Sequence, residues 1–269
     1  LKIALTDLFL NIISALPSQE RIVGGTITSI NNYPFTVSLQ FSWDNVRFGH
    51  KCGATILNNR SAVSAIHCWV NNPVANRFRI RSGSTTKSSG GWMHNVAQLI
   101  GHPHFNRANL DNDIGIVRVA TLFQIHLPTV RAARVAGTHH HVPDNHDVVA
   151  LGWGNIHTDG PGSEQLRRVV LRAVNHTQCR MAFDYIIPIG LSLHQIVSVT
   201  GGLTANMLCA NWIDASRSIC FGDSGTGLLH NNVLVGVASF IGWDGCGSIR
   251  WPSVFVRVSR YETWIRTNS

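Results

Sequence analysis

The sequence predicts an all-β protein whose strands roll into barrels or stack as a sandwich, and three observations carry that prediction. Past residue 21, short β-branched and aromatic runs are divided at regular intervals by Gly, Asn, Ser and Pro. Helical signals are confined to two short stretches. The 269 residues are 44% hydrophobic but only 13% charged, against about 25% in an average globular chain. That composition suits a large buried core and excludes a disordered or collagen-like chain.

Taken in order, strands are expected at 34–41 (PFTVSLQF), 54–59, 78–83, 95–102, 114–119, 147–154, 166–174, 232–240 and 253–259. Each is a short run rich in Val, Ile, Leu or Phe with polar residues interleaved. Asn231-Asn232 between GLLH and VLVGV reads as a tight hairpin turn. A first helix is expected over 175–183 (NHTQCRMAF). A second is expected at the C-terminus, where Ser259 and Glu262 have capping-box spacing ahead of Trp264 and Ile265. A polar stretch with Pro128, Gly137 and Pro143 places a domain junction near mid-chain. The expected division is 1–21, 22–134, 135–254 and a terminal 255–269, with no internal repeat.

The formal charge of +8 does not make this a nucleic-acid protein, because the basic residues are scattered and form no run of five or six. Of the 22, only Lys2, Lys51 and Lys87 are lysines and 19 are arginines. Lysine begins to lose its charge near pH ~10.4 while arginine keeps it past ~12, so the bias suits strongly alkaline fluid; lineage drift would leave the same trace. Six widely spaced cysteines without CxxC pairs point to disulfides and export. Spacing leaves fifteen pairings open. The sequons at Asn59 and Asn175 agree with secretion. Residues 1–21 read as a signal remnant and short pro-segment, with Lys2 as the basic region, Leu8–Leu16 apolar and Ala15 at a cleavage site. Without an initial Met, this segment reads as incomplete. No apolar run reaches the ~18 residues of a membrane span.

Three segments carry chemistry together. SAIHC holds His67 beside Cys68, DNDIGIV holds Asp113, and CFGDSGTG holds Ser224 in a Gly-rich turn. Singly they are bland: a His beside a Cys is usually packed, and Asp-Asn-Asp is usually a turn. Jointly they supply what a serine needs. Its hydroxyl is a poor nucleophile until an imidazole takes the proton, and the imidazole needs a buried carboxylate to hold its tautomer. The N–H groups of Gly222 and Ser224 are the expected oxyanion donors.

With RIVGG at 21–25, CGATILNNR, FRIRSGS, GWG at 152–154, SEQLRRV at 163–169, NMLCANW and RVSRYETWIR, the chain from Ser18 onward resembles the chymotrypsin-family serine proteases, in particular the trypsin-like proteases of lepidopteran midgut. The resemblance implies two packed six-stranded antiparallel β-barrels with a C-terminal helix and a catalytic cleft between the barrels. It also implies disulfides Cys52–Cys68, Cys179–Cys209 and Cys220–Cys246. Cleavage after Arg21 would free the Ile22 α-amino group to pair with Asp223; on its own, Gly-Asp-Ser reads as a turn. The implied substrate wall comprises Ser218, Ile219, Phe221, Ser239, Phe240, Ile241, Gly242 and Ser253, with Ser239 also reaching Asp113. No cofactor and no metal are expected. The implied partners are protein substrates, protein protease inhibitors and an activating trypsin-like protease. The protein is expected to be a secreted monomer of the gut lumen, engaging neither nucleic acid nor membrane.

Several positions depart from the family. Ser218 stands where trypsin-like members carry Asp, so an Arg or Lys side chain would lack its counter-charge and apolar P1 residues are expected. Ile241 facing the pocket would shorten it, whereas Gly242 there would admit Leu, Phe or Tyr. Asp244, if at the mouth, would rescue some basic preference. Ile66 replaces Ala before the catalytic His, and Gly225-Thr226-Gly227 replaces Gly-Gly-Pro; Thr226 at a positive φ would be strained. These departures motivate a rival reading, a catalytically impaired homologue that binds proteins through its cleft. Retained basic specificity is a second alternative and a basic surface-binding protein a third. His139-His140-His141 with His146 read as a solvated loop rather than a Zn²⁺ or Cu²⁺ site. No Asp or Glu lies between Asp44 and Asp111, so an acidic calcium loop is not expected, and Trp153 reads as core.

Overall fold

The structure, a computed structural model, describes residues 23–184 and 202–269. The first barrel is built from β2 (Thr36–Phe41), β3 (Gly49–Ile56), β4 (Ser61–Ser64), β5 (Phe78–Ser82), β6 (Trp92–Gly101) and β7 (Gly115–Val119). They close in the order β2-β3-β4-β7-β6-β5, with β5 returning to β2 through Ser38 opposite Arg81. In β5, FRIRS buries Phe78, Ile80 and Ser82 and leaves the two arginines half-buried, the alternation of a barrel wall.

The second barrel comprises β9 (Asp147–Gly152), β10 (Arg167–Val174), β11 (Met207–Asn211), β12 (Gly227–His230), β13 (Val233–Phe240) and β14 (Ser253–Arg257). The ring runs β9-β10-β11-β14-β13-β12 and back to β9, all antiparallel. β10 alternates buried Val169, Leu171 and Ala173 with exposed Arg168 and Arg172. Gly236 lies in the middle of β13 because a Cβ there would crowd Leu228 and Phe255 at 3.0 and 3.1 Å. The β12–β13 hairpin turns at Asn231 and Asn232, both at positive φ (51° and 59°), as the Asn-Asn pair predicts. Two short strands attach outside the ring: β1 (Thr26–Ile27) pairs with β10 and β8 (Arg134–Val135) runs parallel to β13.

Two helices complete the described residues. α1 (His176–Asp184) is capped by Asn175, whose Oδ1 accepts from the N–H groups of Thr177 and Gln178. The amide nitrogen of Asn175 donates to Asp144 at 2.7 Å, so this sequon side chain is engaged on both sides, whereas Asn59 is exposed. α2 (Glu262–Asn268) buries Ile265 and sets Trp264 against His102, with ring centres 5.0 Å apart. The expected capping box does not form. Val258–Arg260 is a 3-10 turn, Tyr261 is the N-cap, and no side chain caps the helix. Among the described residues no helix is long and apolar enough to cross a membrane.

Disulfides join Cys52 to Cys68, Cys179 to Cys209 and Cys220 to Cys246, leaving no free cysteine among the described residues. Trp153 is core, 1% exposed, and its indole N–H donates to Thr85 O. That bond, like the Thr86–Gln165 bridge, joins a first-barrel segment to a second-barrel one.

Candidate active site

His67 is placed by a short strand, a tight turn and a covalent clip. β4 delivers the chain into the 3-10 turn Ile66–Cys68, and Cys68 is tied to Cys52 on β3. Closing this loop removes about 3 kcal/mol of unfolded-state entropy. Asp113, fully buried, lies two residues before β7, the strand that pairs with β4. One carboxylate oxygen accepts from the His67 backbone N–H at 2.9 Å. The other accepts from His67 Nδ1 and from Ser239 Oγ, both at 2.6 Å. Ser239 lies on β13, so the last bond crosses from one barrel to the other. A carboxylate held this way fixes the imidazole with Nδ1 protonated and Nε2 free to accept a proton.

Ser224 sits in the turn between Cys220 and β12. Gly222 and Gly225 adopt positive φ (93° and 79°) that side chains rarely tolerate, and a Cβ on Gly225 would lie 2.1 Å from Ser64 Oγ. The turn is anchored by Gly53 N–H donating to Ser224 O at 2.8 Å and Gly225 N–H to Ala238 O at 2.7 Å. His50 reaches Gly222 O at 3.0 Å through Nε2, while its Nδ1 meets Ser38 Oγ at 2.8 Å. Burial pulls His50 down to about 4 and keeps it neutral. Among the described residues the N–H groups of Gly222 and Ser224 donate to nothing, and Ser224 Oγ makes no hydrogen bond. Two unspent donors beside a hydroxyl can bind an oxyanion.

Asp223 points into the second barrel. Its oxygens accept from Gly154 N–H at 2.8 Å and Cys220 N–H at 2.9 Å. Gly152 and Gly154 flank Trp153 because a Cβ on either would strike this carboxylate, at 2.0 and 2.5 Å. Burial pushes Asp223 up to about 7 despite both N–H donors. Arg21 and Ile22 lie outside the described residues.

Two departures near His67 and Ser224, at Ile66 and Thr226, are each met by a glycine. Thr226 does not take a positive φ; that conformation falls on Gly225, so the expected strain at Thr226 is absent. Its hydroxyl donates to Asp223 O at 2.6 Å, and its methyl fills space that a Cβ on Gly53 would need, 1.9 Å away. Gly227 is equally confined, a Cβ there meeting Leu234 and Thr55 at 2.8 Å. Ile66 is buried against Gly101, where an added Cβ would lie 3.3 Å from its terminal methyl.

Around the substrate wall, Ser218 and Ser253 are buried with hydroxyls 3.4 Å apart, and Ser218 Oγ donates to Ile219 O. Ile219 is core. Ile241 is half-buried against the main apolar cluster, whereas Gly242 lies under Trp251, 2.2 Å from Trp251 Cβ to an added Cβ. Phe240 packs edge-on to Phe183, and Phe221 is 53% exposed. Asp244 accepts from Ser248 Oγ at 2.8 Å and so organises its own loop.

The pKa of His67 is displaced by opposing effects. Burial lowers it, but the charge of Asp113 and its hydrogen bond raise it further, leaving a net rise above the ordinary 6.5. A general base must be neutral, so an imidazole used in that role loses activity as pH drops through this raised pKa. The acid limb of kcat/KM is therefore expected at a midpoint above 6.5, measured on a peptide ester between pH 5 and 10. A midpoint at or below 6.5 would contradict the coupling to Asp113. The two sulfurs of Cys52–Cys68 lie within 4.8 Å of a His67 ring nitrogen, but the disulfide consumes the thiolates a metal would need.

Sequence reasoning missed several supporting residues. His50 and Ser38 brace the Gly222 carbonyl, and a lone His two residues before a Cys carries no signal of this. Asn112, at φ 57°, accepts from Tyr261 OH at 2.9 Å, and Asp111 accepts from Thr204 and Asn206, steadying the loop that leads into Asp113.

A family model described as Trypsin matches residues 22–265. "Trypsin CFT-1" of Choristoneura fumiferana is 43% identical, over 99% of this chain and 98% of its own. "Trypsin, alkaline C" of Manduca sexta has the same identity and coverage. "Achelase-1" of Lonomia achelous is 35% identical over 92% of this chain and all of its own.

Proposed function

The chain belongs to the trypsin family of serine endopeptidases, and from that premise we propose a secreted protease, made as a zymogen, that cuts dietary proteins after apolar residues. In this reading Ser224 attacks the scissile carbonyl while His67 takes its proton and later delivers it to the leaving amine. Asp113 orients the imidazole, and the N–H groups of Gly222 and Ser224 receive the oxyanion. The observation that carries the chemistry is Asp113, buried and accepting from His67 Nδ1 and Ser239 at 2.6 Å. The fit of Thr226 and Ile66 against Gly53 and Gly101 supports an active enzyme over an impaired homologue.

Apolar specificity rests on Ser218. A guanidinium brought between Ser218 and Ser253 would meet two hydroxyls and no carboxylate, a loss of several kcal/mol for a desolvated charge. The packing of Gly242 under Trp251 supports Ile241 as the residue that narrows the pocket, favouring small and medium side chains. The names of the relatives argue for the second reading, cleavage after Arg or Lys. A P1 scan decides: Ala, Leu or Phe is expected to exceed Arg in kcat/KM, and the reverse order would overturn the apolar reading.

Zymogen control rests on Asp223. A carboxyl at about 7 is largely ionised in alkaline fluid, and no ion pair forms with it among the described residues. The α-amino group released by cleavage after Arg21 would supply the missing charge. The arginine bias of this chain and the word "alkaline" in the Manduca names support that setting. Fluorophosphonate labelling before and after cleavage tests the switch and the nucleophile together. Labelling is expected only in the cleaved wild type, not in Ser224→Ala. No labelling of a correctly cleaved chain would favour the binding-protein reading.

A further inference from the structure

Between the barrels the chain passes through Thr138-His139-His140-His141, turns, and reaches His146 before β9. As sequence this is a polar run. The fold brings it to the β12–β13 hairpin, where His230 ends β12 with 7% of its surface exposed. His140 Nε2 lies 3.3 Å from His230 Nδ1. The ring of His146 lies 5.6 Å from that of His230, centre to centre.

We propose that His140, His146 and His230 form a binding site for a borderline transition-metal cation such as Zn²⁺ or Cu²⁺. The spacing is the first argument. Two imidazole nitrogens bound to one tetrahedral ion at about 2.0–2.1 Å are separated by roughly 3.3 Å, so His140 and His230 already stand at a ligand–ligand edge. Approach of the third ring is the second. His146 is exposed, its ring makes no hydrogen bond among the described residues that would hold it in place, and its side chain must turn toward the pair to complete the three-nitrogen set. The backbones are held in the meantime. His146 O accepts from Ala173 N–H, Asn145 N–H donates to Ala173 O, and a turn bond links His140 N–H to Gly137 O. Preorganisation is the third. The Asn231-Asn232 turn fixes His230, and the Asn231 amide lies 3.5 Å from His230 Nε2, leaving Nδ1 directed at His140.

An all-imidazole set of neutral ligands selects Zn²⁺, Cu²⁺ or Ni²⁺ over Ca²⁺ and Mg²⁺, and three ligands leave a fourth position for water or an anion. The ion would staple the segment between the barrels onto the hairpin that follows Ser224. The site uses none of the residues assigned to catalysis and stands or falls independently of them.

The test is calorimetric titration of the chelator-stripped full chain with Zn²⁺, paired with Cu²⁺ electron paramagnetic resonance. One ion is expected per chain, with nitrogen hyperfine structure from three imidazoles. His230→Gln, His140→Gln and His146→Gln are each expected to weaken binding by about tenfold or more, the scale on which even outer partners of a metal matter. His139→Ala/His141→Ala is expected to bind as wild type. His146 is exposed, so its variant tests the site even if His230→Gln misfolds. Undiminished binding by folded His230→Gln, a loss confined to the His139/His141 variant, or no binding at millimolar Zn²⁺ would each overturn the proposal.

Discussion

Replacing Asp113 by Asn is expected to lower kcat by about 10⁴-fold while leaving the fold intact, the scale of this substitution in a Ser-His-Asp triad. The carboxylate accepts three hydrogen bonds and donates none. An amide of the same shape can accept through its oxygen, but its NH₂ must face one of those donors. The imidazole escapes the clash by moving its proton to Nε2, which then cannot receive the proton of Ser224. Circular dichroism should be unchanged, because an uncharged amide avoids leaving a buried, unpaired carboxylate. Ser239→Ala should cost far less, since it removes one donor and leaves the tautomer in place. Equal activity of Asp113→Asn and wild type would remove Asp113 from the mechanism.

Gly53→Ala is expected to be a strongly damaging single-carbon addition near the site. Its new methyl would lie 1.9 Å from Thr226 Cγ2, between the strand that donates to Ser224 O and the turn that holds Ser224. Overpacking of this kind costs about 1–3 kcal/mol of stability, and a displaced nucleophile costs activity beyond that. Thr226→Ser removes the offending methyl but keeps a hydroxyl for Asp223 O. The double variant should therefore recover both Tm and kcat/KM, giving a large coupling in a double-mutant cycle. Additive losses would show that the Gly53–Thr226 contact is not what constrains the turn.

Much of the fold was legible because barrel strands alternate or run apolar between turn residues. The expected strand at 78–83 is found at Phe78–Ser82, 166–174 at Arg167–Val174 and 232–240 at Val233–Phe240. β4 was not legible: its four residues, SAVS, are all buried and too short to show a period. β11 was hidden similarly, since MLCAN has no strong β-formers and owes its state to pairing with β10 and β14. The capping box failed for a tertiary reason, as Ser259 is drawn into a buried 3-10 turn. The segments of the proposed triad stand out as a set because the chemistry they suggest demands three residue types at once. The glycines that accommodate Ile66 and Thr226 were not, because Gly101 and Gly53 lie far from them in sequence and meet them only across strands. His230 is hidden in the sequence for the same reason.

The bond from Ser239 to Asp113 also bears on how such a chain can be made safely. The proposed base and orienter, His67 and Asp113, belong to the barrel that leaves the ribosome first, while the proposed nucleophile Ser224 and its turn belong to the barrel that follows. Domains generally fold as units during synthesis, N-terminal first. A nascent or truncated chain therefore carries an imidazole and a carboxylate with nothing to activate. Hydrolytic power arises only when the second barrel has closed and docked. In the proposed reading, chain order itself thus delays hydrolysis until the second barrel has been made.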